Sequence, residues 1–355
     1  MRVIRTVLGD IKPEGLGFCH THEHMTCDQR VAQIREMFDT TREWDSSAMI
    51  LDEPDRTLEE IKLFKARGGN AMVEVTTSAW GRDLDALAHF SRESGVHIVA
   101  TGGFYTEPHM PREAETMPIP DLADWIVSEV FDGVGPRKIK VGLIKSGIYH
   151  GRIAGLELKG LRAVARAQLR TGVAITTHTS GARRHEVRGG NMGAQHLRTL
   201  FEEGVDPHRF IVGHTDERPD IEFLSWLCGL GCFVQFDVIG KSHWLLNGTR
   251  FELLKELVKR GFRGNVLLGT DRCHKPEFYR DLGGAGYTLI LDEFVPMALE
   301  AGLTQEDLDA FLVRNPANAL AIEVPDRPTA GGPGSTTPAV GAGSTTSLKA
   351  GDGNV

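Results

Sequence analysis

The chain has 355 residues, 41% of them apolar and 25% charged, with a formal net charge of −8. This balance is ordinary for a soluble globular protein, and its sign argues against nucleic acid or an anionic membrane surface as the main partner. No apolar run approaches the roughly 20 residues of a membrane span, and the opening MRVIRTVLGD lacks the long apolar core of a secretory signal.

Eight short runs rich in Val, Ile, Thr and Phe follow one another along the chain. They are GFCHTH (17–22), NAMVEVTT (70–77), VHIVATGG (96–103), KIKVGLIK (138–145), VAITTH (173–178), RFIVGH (209–214), CFVQFD (232–237) and NVLLGTD (265–271). Most are separated by amphipathic stretches such as DALAHFSRES, KGLRAVARAQLRT and RFELLKELVKRG. Strand–helix alternation predicts a parallel sheet, and eight such units predict a (β/α)8 TIM barrel of the α/β class in one domain over residues 1–323. A doubly wound sheet is the competing architecture, but HTHEHMTCD after the first run is not a Gly-rich phosphate turn. From residue 324 the chain turns to Gly, Pro, Ser, Thr and Ala, which predicts a disordered low-complexity tail over 324–355. The five cysteines, Cys19, Cys27, Cys228, Cys232 and Cys273, are odd in number in a long chain. Free thiols in a reducing cytoplasm are therefore expected.

Polar residues gather at one end of these runs: His22 and His24, then Lys145, His178, His214, Asp237 and Asp271. In a barrel the C-terminal strand ends carry the chemistry. Imidazoles and a carboxylate converging there suit zinc first, with Mn, Co or Fe as alternatives. His22, His24, Lys145, His178, His214 and Asp271 are too many for one tetrahedral ion and suit two metals. An ammonium cannot ligate a cation, but a carbamate made from CO2 on Lys145 could bridge both. Lys140 competes for that role. It lies near the start of its run and on the opposite face, so Lys145 is preferred. His20, one pleat repeat before His22, is expected to point the same way but to serve as a hydrogen-bonded support. His185 and His196 fall past the end of the fifth run and read as loop and helix residues. Glu23 followed by His24 rules out the HExxH spacing.

Taken in order, HEH on the first run, GLIK on the fourth, TTH on the fifth, VGH on the sixth and GTD on the eighth resemble the phosphotriesterase family of the amidohydrolase superfamily. FDVIGK (236–241), GGAGYTLI (283–290) and RNPANAL (314–320) are similar to its phosphotriesterase-homology and lactonase-like branches. The resemblance implies that His22, His24 and Asp271 hold a more buried metal, that His178 and His214 hold a more exposed one, and that carbamylated Lys145 and a hydroxide bridge them. It implies that this hydroxide attacks a carbonyl or phosphoryl centre while Asp271 takes up the proton. Asp237 either extends the proton path or supports a ligand histidine. Pairing into a homodimer is a further implication.

The substrate is less constrained. Tyr105, in GGFYTEP, resembles a tyrosine lining the pocket of lactonase relatives. Val238 stands where acyl-homoserine lactonases usually carry Arg, which argues against that substrate. Lys241, Arg272, His274 and Lys275 concentrate positive charge on the last two loops, and Lys241 and Arg272 are the candidate contacts for an anionic group. The expected function is hydrolysis of a lactone or carboxylic ester, with a sugar-like or phosphorylated lactone favoured. Alternatives are phosphotriester hydrolysis, hydrolysis of N-acyl amino acids, or a non-catalytic metal-binding barrel.

Overall fold

The eight apolar runs form eight parallel strands in sequence order. The computed structural model describes residues 1–30, 46–148, 155–179, 192–217 and 219–324, and among these the strands are β1 (Cys19–Glu23), β2 (Ala71–Glu74), β3 (His97–Gly103), β4 (Leu143–Gly147), β5 (Ile175–His178), β6 (Phe210–Val212), β7 (Phe233–Phe236) and β8 (Val266–Leu268). Each is hydrogen-bonded to the next. The sheet curls until its edges meet: the Asp271 N–H donates to the His22 carbonyl at 3.0 Å, and Thr21 Oγ1 donates to the Leu268 carbonyl at 2.8 Å. The fold is the expected (β/α)8 barrel. The tail expected beyond Val324 lies outside the described residues, as does His185.

Side-chain alternation sorts each strand into two layers. Leu143, Ala174, Ile211, Phe233 and Leu267, contributed by or adjoining different strands, pack in one buried cluster with Leu16 and Leu320, filling the barrel's lower interior. Their strand neighbours Ile144, Ile175, Val212, Val234 and Leu268 belong to a second cluster, shared with the surrounding helices. Each fully buried side chain of this kind contributes roughly 1.5–3 kcal/mol. Local signals bound the helices. Asp83 accepts from the Ala86 N–H at 3.0 Å at the start of helix Leu84–Ser94, and Gly95, at φ 69°, ends it. Strand Arg2–Thr6 pairs antiparallel with Gly9–Ile11 and with Ile322–Glu323. Among the described residues, no helix is long and apolar enough to cross a membrane.

Strand β1 breaks the alternation. His20 pairs with Met72 and Glu23 with Glu74, so β1 advances three residues while β2 advances two. The extra residue is a bulge. It lets both Thr21 and His22 reach Gln235, while His20 turns away. This corrects the expectation that His20 shares the direction of His22. The His20 ring packs 4.8 Å from that of Phe64 on helix Pro54–Ala66 and 5.8 Å from Phe18, in the layer between strand and helix. Its Nδ1 lies 2.9 Å from Glu23 Oε1. His20 thus lies on the other face from the one expected, and its ring nitrogens make no hydrogen bond of the kind a hydrogen-bonded support would show.

Candidate metal centre

The strand ends converge on a buried cluster of imidazoles and carboxylates. His22 Nδ1 faces Asp237 Oδ2 at 2.8 Å and Gln235 Oε1 at 3.0 Å, both acceptors, so Nδ1 carries the proton and Nε2 presents its lone pair. His24 Nδ1 meets Thr76 Oγ1 at 2.7 Å, and its Nε2 lies 3.2 Å from Asp271 Oδ1. Burial pulls His24 down to about 3, despite its contact with Asp271, so the ring is a neutral base. Ligand atoms of His22, His24 and Asp271 lie within 4.8 Å of one another. The Nε2 atom of His22 is buried and has no hydrogen-bond partner, and that of His24 meets only the Asp271 carboxylate. Leaving such an atom unsatisfied costs about 1–3 kcal/mol, which a bound cation would offset.

His178 and His214 form a second pair. His214 Nδ1 meets Asp237 Oδ1 at 2.8 Å, and its Nε2 lies 2.6 Å from His178 Nδ1. At that separation the two rings share a hydrogen bond, and they would have to part slightly and both present lone pairs to hold one cation. Burial pulls His178 well below its ordinary value, and His214 beside it adds to the effect. In His214 burial acts downward, but the Asp237 charge and hydrogen bond outweigh it and raise the ring to about 9. Backbone geometry contributes too. His214 (φ 54°) and Asp271 (φ 49°) both adopt the left-handed conformation that non-glycine residues rarely take. Gly213 precedes His214 because a Cβ there would collide with the Thr177 carbonyl and approach Asp237.

Lys145 sits beside these groups, 1% exposed, its Nζ 4.8 Å from the Tyr105 ring centre and 5.4 Å from that of Trp80. Burial, partly offset by Asp271, Glu74 and Asp237, lowers its amine to about 8. Lys140 is half-buried in the segment leading into β4, away from the cluster. Trp80 and Tyr105 stack at 4.5 Å and 17°, and Tyr105 Oη approaches His178 at 3.2 Å. Tyr105 thus borders the cluster, and so does Trp80, an aromatic in the loop after β2 that the sequence did not single out.

The basic loops look different in three dimensions. Lys241 Nζ lies 2.6 Å from the Asp271 carbonyl, 3.0 Å from Asp271 Oδ2 and 3.4 Å from Glu277 Oε2. Lys275 pairs with Asp52 and Glu53, and His274 Nδ1 lies 3.4 Å from Glu277. Arg272 is buried, its Nε lacks a hydrogen-bond partner, and it forms no ion pair among the described residues. Its guanidinium lies against Gly240, where a Cβ would collide with it. His196 is buried in helix Met192–Glu203, its ring 6.3 Å from Phe210. All five cysteines are free and buried, and burial pushes Cys228 and Cys232 up to about 12.

Three further residues escaped the sequence reading. Gln235 precedes Asp237 by two, so the strand period could have placed it on the same face. Glu217, three residues after His214, is buried with one carboxyl oxygen unpartnered, and burial raises it to about 7. Arg250 carries no signal in its neighbourhood that points to the site.

Residues 2–320 match the phosphotriesterase family. The phosphotriesterase homology protein of Escherichia coli is 30% identical over 302 residues, covering 85% of this chain and 97% of that one. An N-acetyltaurine hydrolase of Rattus norvegicus is 29% identical over 354 residues, covering 90% of this chain and 98% of that one. The crystal structure of a lactonase from Listeria monocytogenes superposes with a TM-score of 0.78 at 27% identity, covering 90% of this chain and 98% of that one. The chain belongs to the phosphotriesterase family and is a metal-dependent hydrolase.

Proposed function

We propose that the chain is a binuclear hydrolase acting on the carbonyl of a lactone or carboxylic ester whose substrate carries an anionic group. The observation that carries the two-metal reading is the presence of two adjoining sets of inward-facing nitrogens. His22 and His24 converge with Asp271, while His178 and His214 face each other at 2.6 Å, and Asp237 fixes a ring in each set. His22, His24 and Asp271 would hold one ion, His178 and His214 the other, and Lys145 would join them as a carbamate. Two divalent cations there would acidify a water and polarise a carbonyl oxygen.

The chain's own groups supply the rest. Lys145 must lose its proton before its amine can attack CO2, and the buried setting favours the neutral amine. Burial alone would raise Asp271, but Lys241 and the neighbouring imidazoles outweigh it and hold the carboxylate ionised. Asp271 can then accept a proton from the attacking water and return it to the leaving oxygen. Trp80 and Tyr105 form an aromatic wall beside His178 that excludes water from one flank. We assign the anion contact to Arg272, whose guanidinium forms no ion pair among the described residues, although its charge helps hold Glu277 ionised. Lys241, held by Asp271 and Glu277, would orient Asp271 from the same side.

Hydrolysis of an N-acyl amide is the second reading. The relative named an N-acetyltaurine hydrolase supports it, and Arg272 suits a sulfonate as well as a carboxylate or phosphate. The test is a panel of sugar lactones with and without a 5-phosphate, N-acyl amino acids, N-acetyltaurine, aryl esters and paraoxon, with zinc or manganese supplied. An anionic lactone or ester should show the highest kcat/KM, and Arg272→Gln should raise KM for anionic substrates more than for neutral ones. An N-acyl amide as the fastest substrate would favour the second reading. Paraoxon in first place would overturn carbonyl specificity, and no turnover at full metal loading would leave a binding protein.

A further inference from the structure

The opposite end of the barrel carries a second recess. Val7 N–H donates to the carbonyl of Ile98, the second residue of β3, and Lys140 stands three residues before β4, so this recess lies at the N-terminal strand ends. Its volume is about 480 Å³, and its walls are the segment 5–10, Arg92 near the end of helix Leu84–Ser94, and the segment 137–140. Five of its lining residues are cationic: Arg5, Arg92, Arg137, Lys138 and Lys140. The only carboxylate in the lining is Asp10. The chain as a whole carries a net charge of −8, so this concentration runs against the general balance.

Internal pairing leaves most of that charge open. Asp10 is taken by Arg5, at 2.9 and 3.0 Å. Arg137 reaches Asp85 only at 3.5 Å with both side chains well exposed, a pair worth little. Arg92, Lys138 and Lys140 form no ion pair among the described residues. Arg92, Arg137 and Lys138 are exposed and Lys140 half-buried, so their like charges gather on a concave, solvent-open surface and raise the local positive potential there. The turn that presents them is also fixed. Val134 and Ile139 exchange hydrogen bonds at 2.9 and 3.2 Å, and Lys138 between them is held at φ 55°, a conformation rare for lysine. Val7 and Ile139, both buried, and exposed Leu8 offer apolar surface beside the cations.

We propose that this recess binds a phosphorylated small molecule, at a site separate from the metal centre. Arginine forks and lysine point charges suit phosphate oxygens, and the volume falls in the range of about 300–1,000 Å³ typical of small-molecule sites. The inference does not depend on the reaction assigned above.

The test is calorimetric titration of the metal-loaded full chain with inorganic phosphate and with AMP. It compares the unmodified protein with the triple variant Arg92→Gln/Lys138→Asn/Lys140→Gln, since Asn tolerates the left-handed backbone at 138. Saturable binding should weaken about tenfold or more in the variant, a loss of about 1.4 kcal/mol, and should fall as ionic strength rises. Lactone or ester turnover in the variant should stay at the unmodified level. AMP binding more tightly than phosphate would show that the apolar wall holds an organic group, and equal affinity would show that the phosphate alone is read. The single variant Lys140→Gln should give part of the loss and guards against a folding defect in the triple. Equal affinity in unmodified and triple-variant proteins would place the anion at the metal centre and overturn the proposal, as would a lack of saturable binding to either probe.

Discussion

Asp237 is the residue on which the centre turns. One carboxylate oxygen takes His22 Nδ1 and the other takes His214 Nδ1, so a single side chain fixes a ring in each half of the cluster. Asp237→Ala should therefore weaken retention of both metals, by about 10- to 100-fold, because supporting carboxylates set tautomer and ring direction. Metal analysis after dialysis checks this, and loss of one ion alone would show that the two halves are independent. Lys145→Ala should lose metal and activity together, and short carboxylic acids should restore part of the rate. A variant that keeps two metals and full rate would remove the carbamate. Asp271→Asn should fold normally and lose turnover by at least about 10²-fold, in the range for removal of an acid–base group. Near-normal kcat would deny it that role. The positions of these residues were legible because polar side chains at strand ends recur on separate runs. His20 was misdirected because a one-residue bulge cannot be read from alternation. The inward turn of His214 depends on a left-handed φ that its HTD context does not announce.

The segments after β6 and β7 are held together by a fully buried ion pair. Arg250 Nε meets Asp216 Oδ2 at 2.7 Å, Arg250 Nη2 meets the Val238 carbonyl at 2.8 Å, and Nη1 bonds the Leu245 carbonyl. Asp216 Oδ1 in turn accepts the Asp237 N–H at 3.1 Å. Arg250, on helix Asn247–Lys259, thereby positions the carboxylate that orients both histidines. Arg250→Met leaves Asp216 buried without its partner and should cost about 3–5 kcal/mol of stability. Denaturant unfolding measures that loss, and the visible spectrum of the cobalt-loaded variant should shift as the ligand geometry relaxes. A stable variant with an unchanged spectrum would reduce the pair to ordinary packing. The strands themselves were readable from apolar runs, since every run became a strand of the barrel. The ion pair was not, because Arg250 stands in the first turn of its helix beside Phe251 with no charge pattern that marks a partner, and only the packing of that helix brings it to Asp216.

Across the whole chain, the layering of inner and outer residues explains why the chemistry stands at one end. The lower interior is filled with apolar side chains, so the buried polar groups of the upper interior must satisfy one another or a bound ion. Residues 325–355 contain little that could join this core, and their deletion should leave turnover and thermal midpoint unchanged. A large fall in kcat would show that they take part. The barrel and its ligand-bearing end followed from eight alternating units, whereas substrate choice did not, because it depends on which loop charges are already paired. Lys241 and Lys275 are paired with acids, and Arg272 forms no ion pair among the described residues. The central claim is that two cations act together. Titrating metal-stripped protein with zinc, while following bound metal and hydrolysis of an active ester or lactone, tests it most directly. Activity should rise to a plateau at two equivalents per chain. Full activity at one equivalent, or activity without bound metal, would contradict the account.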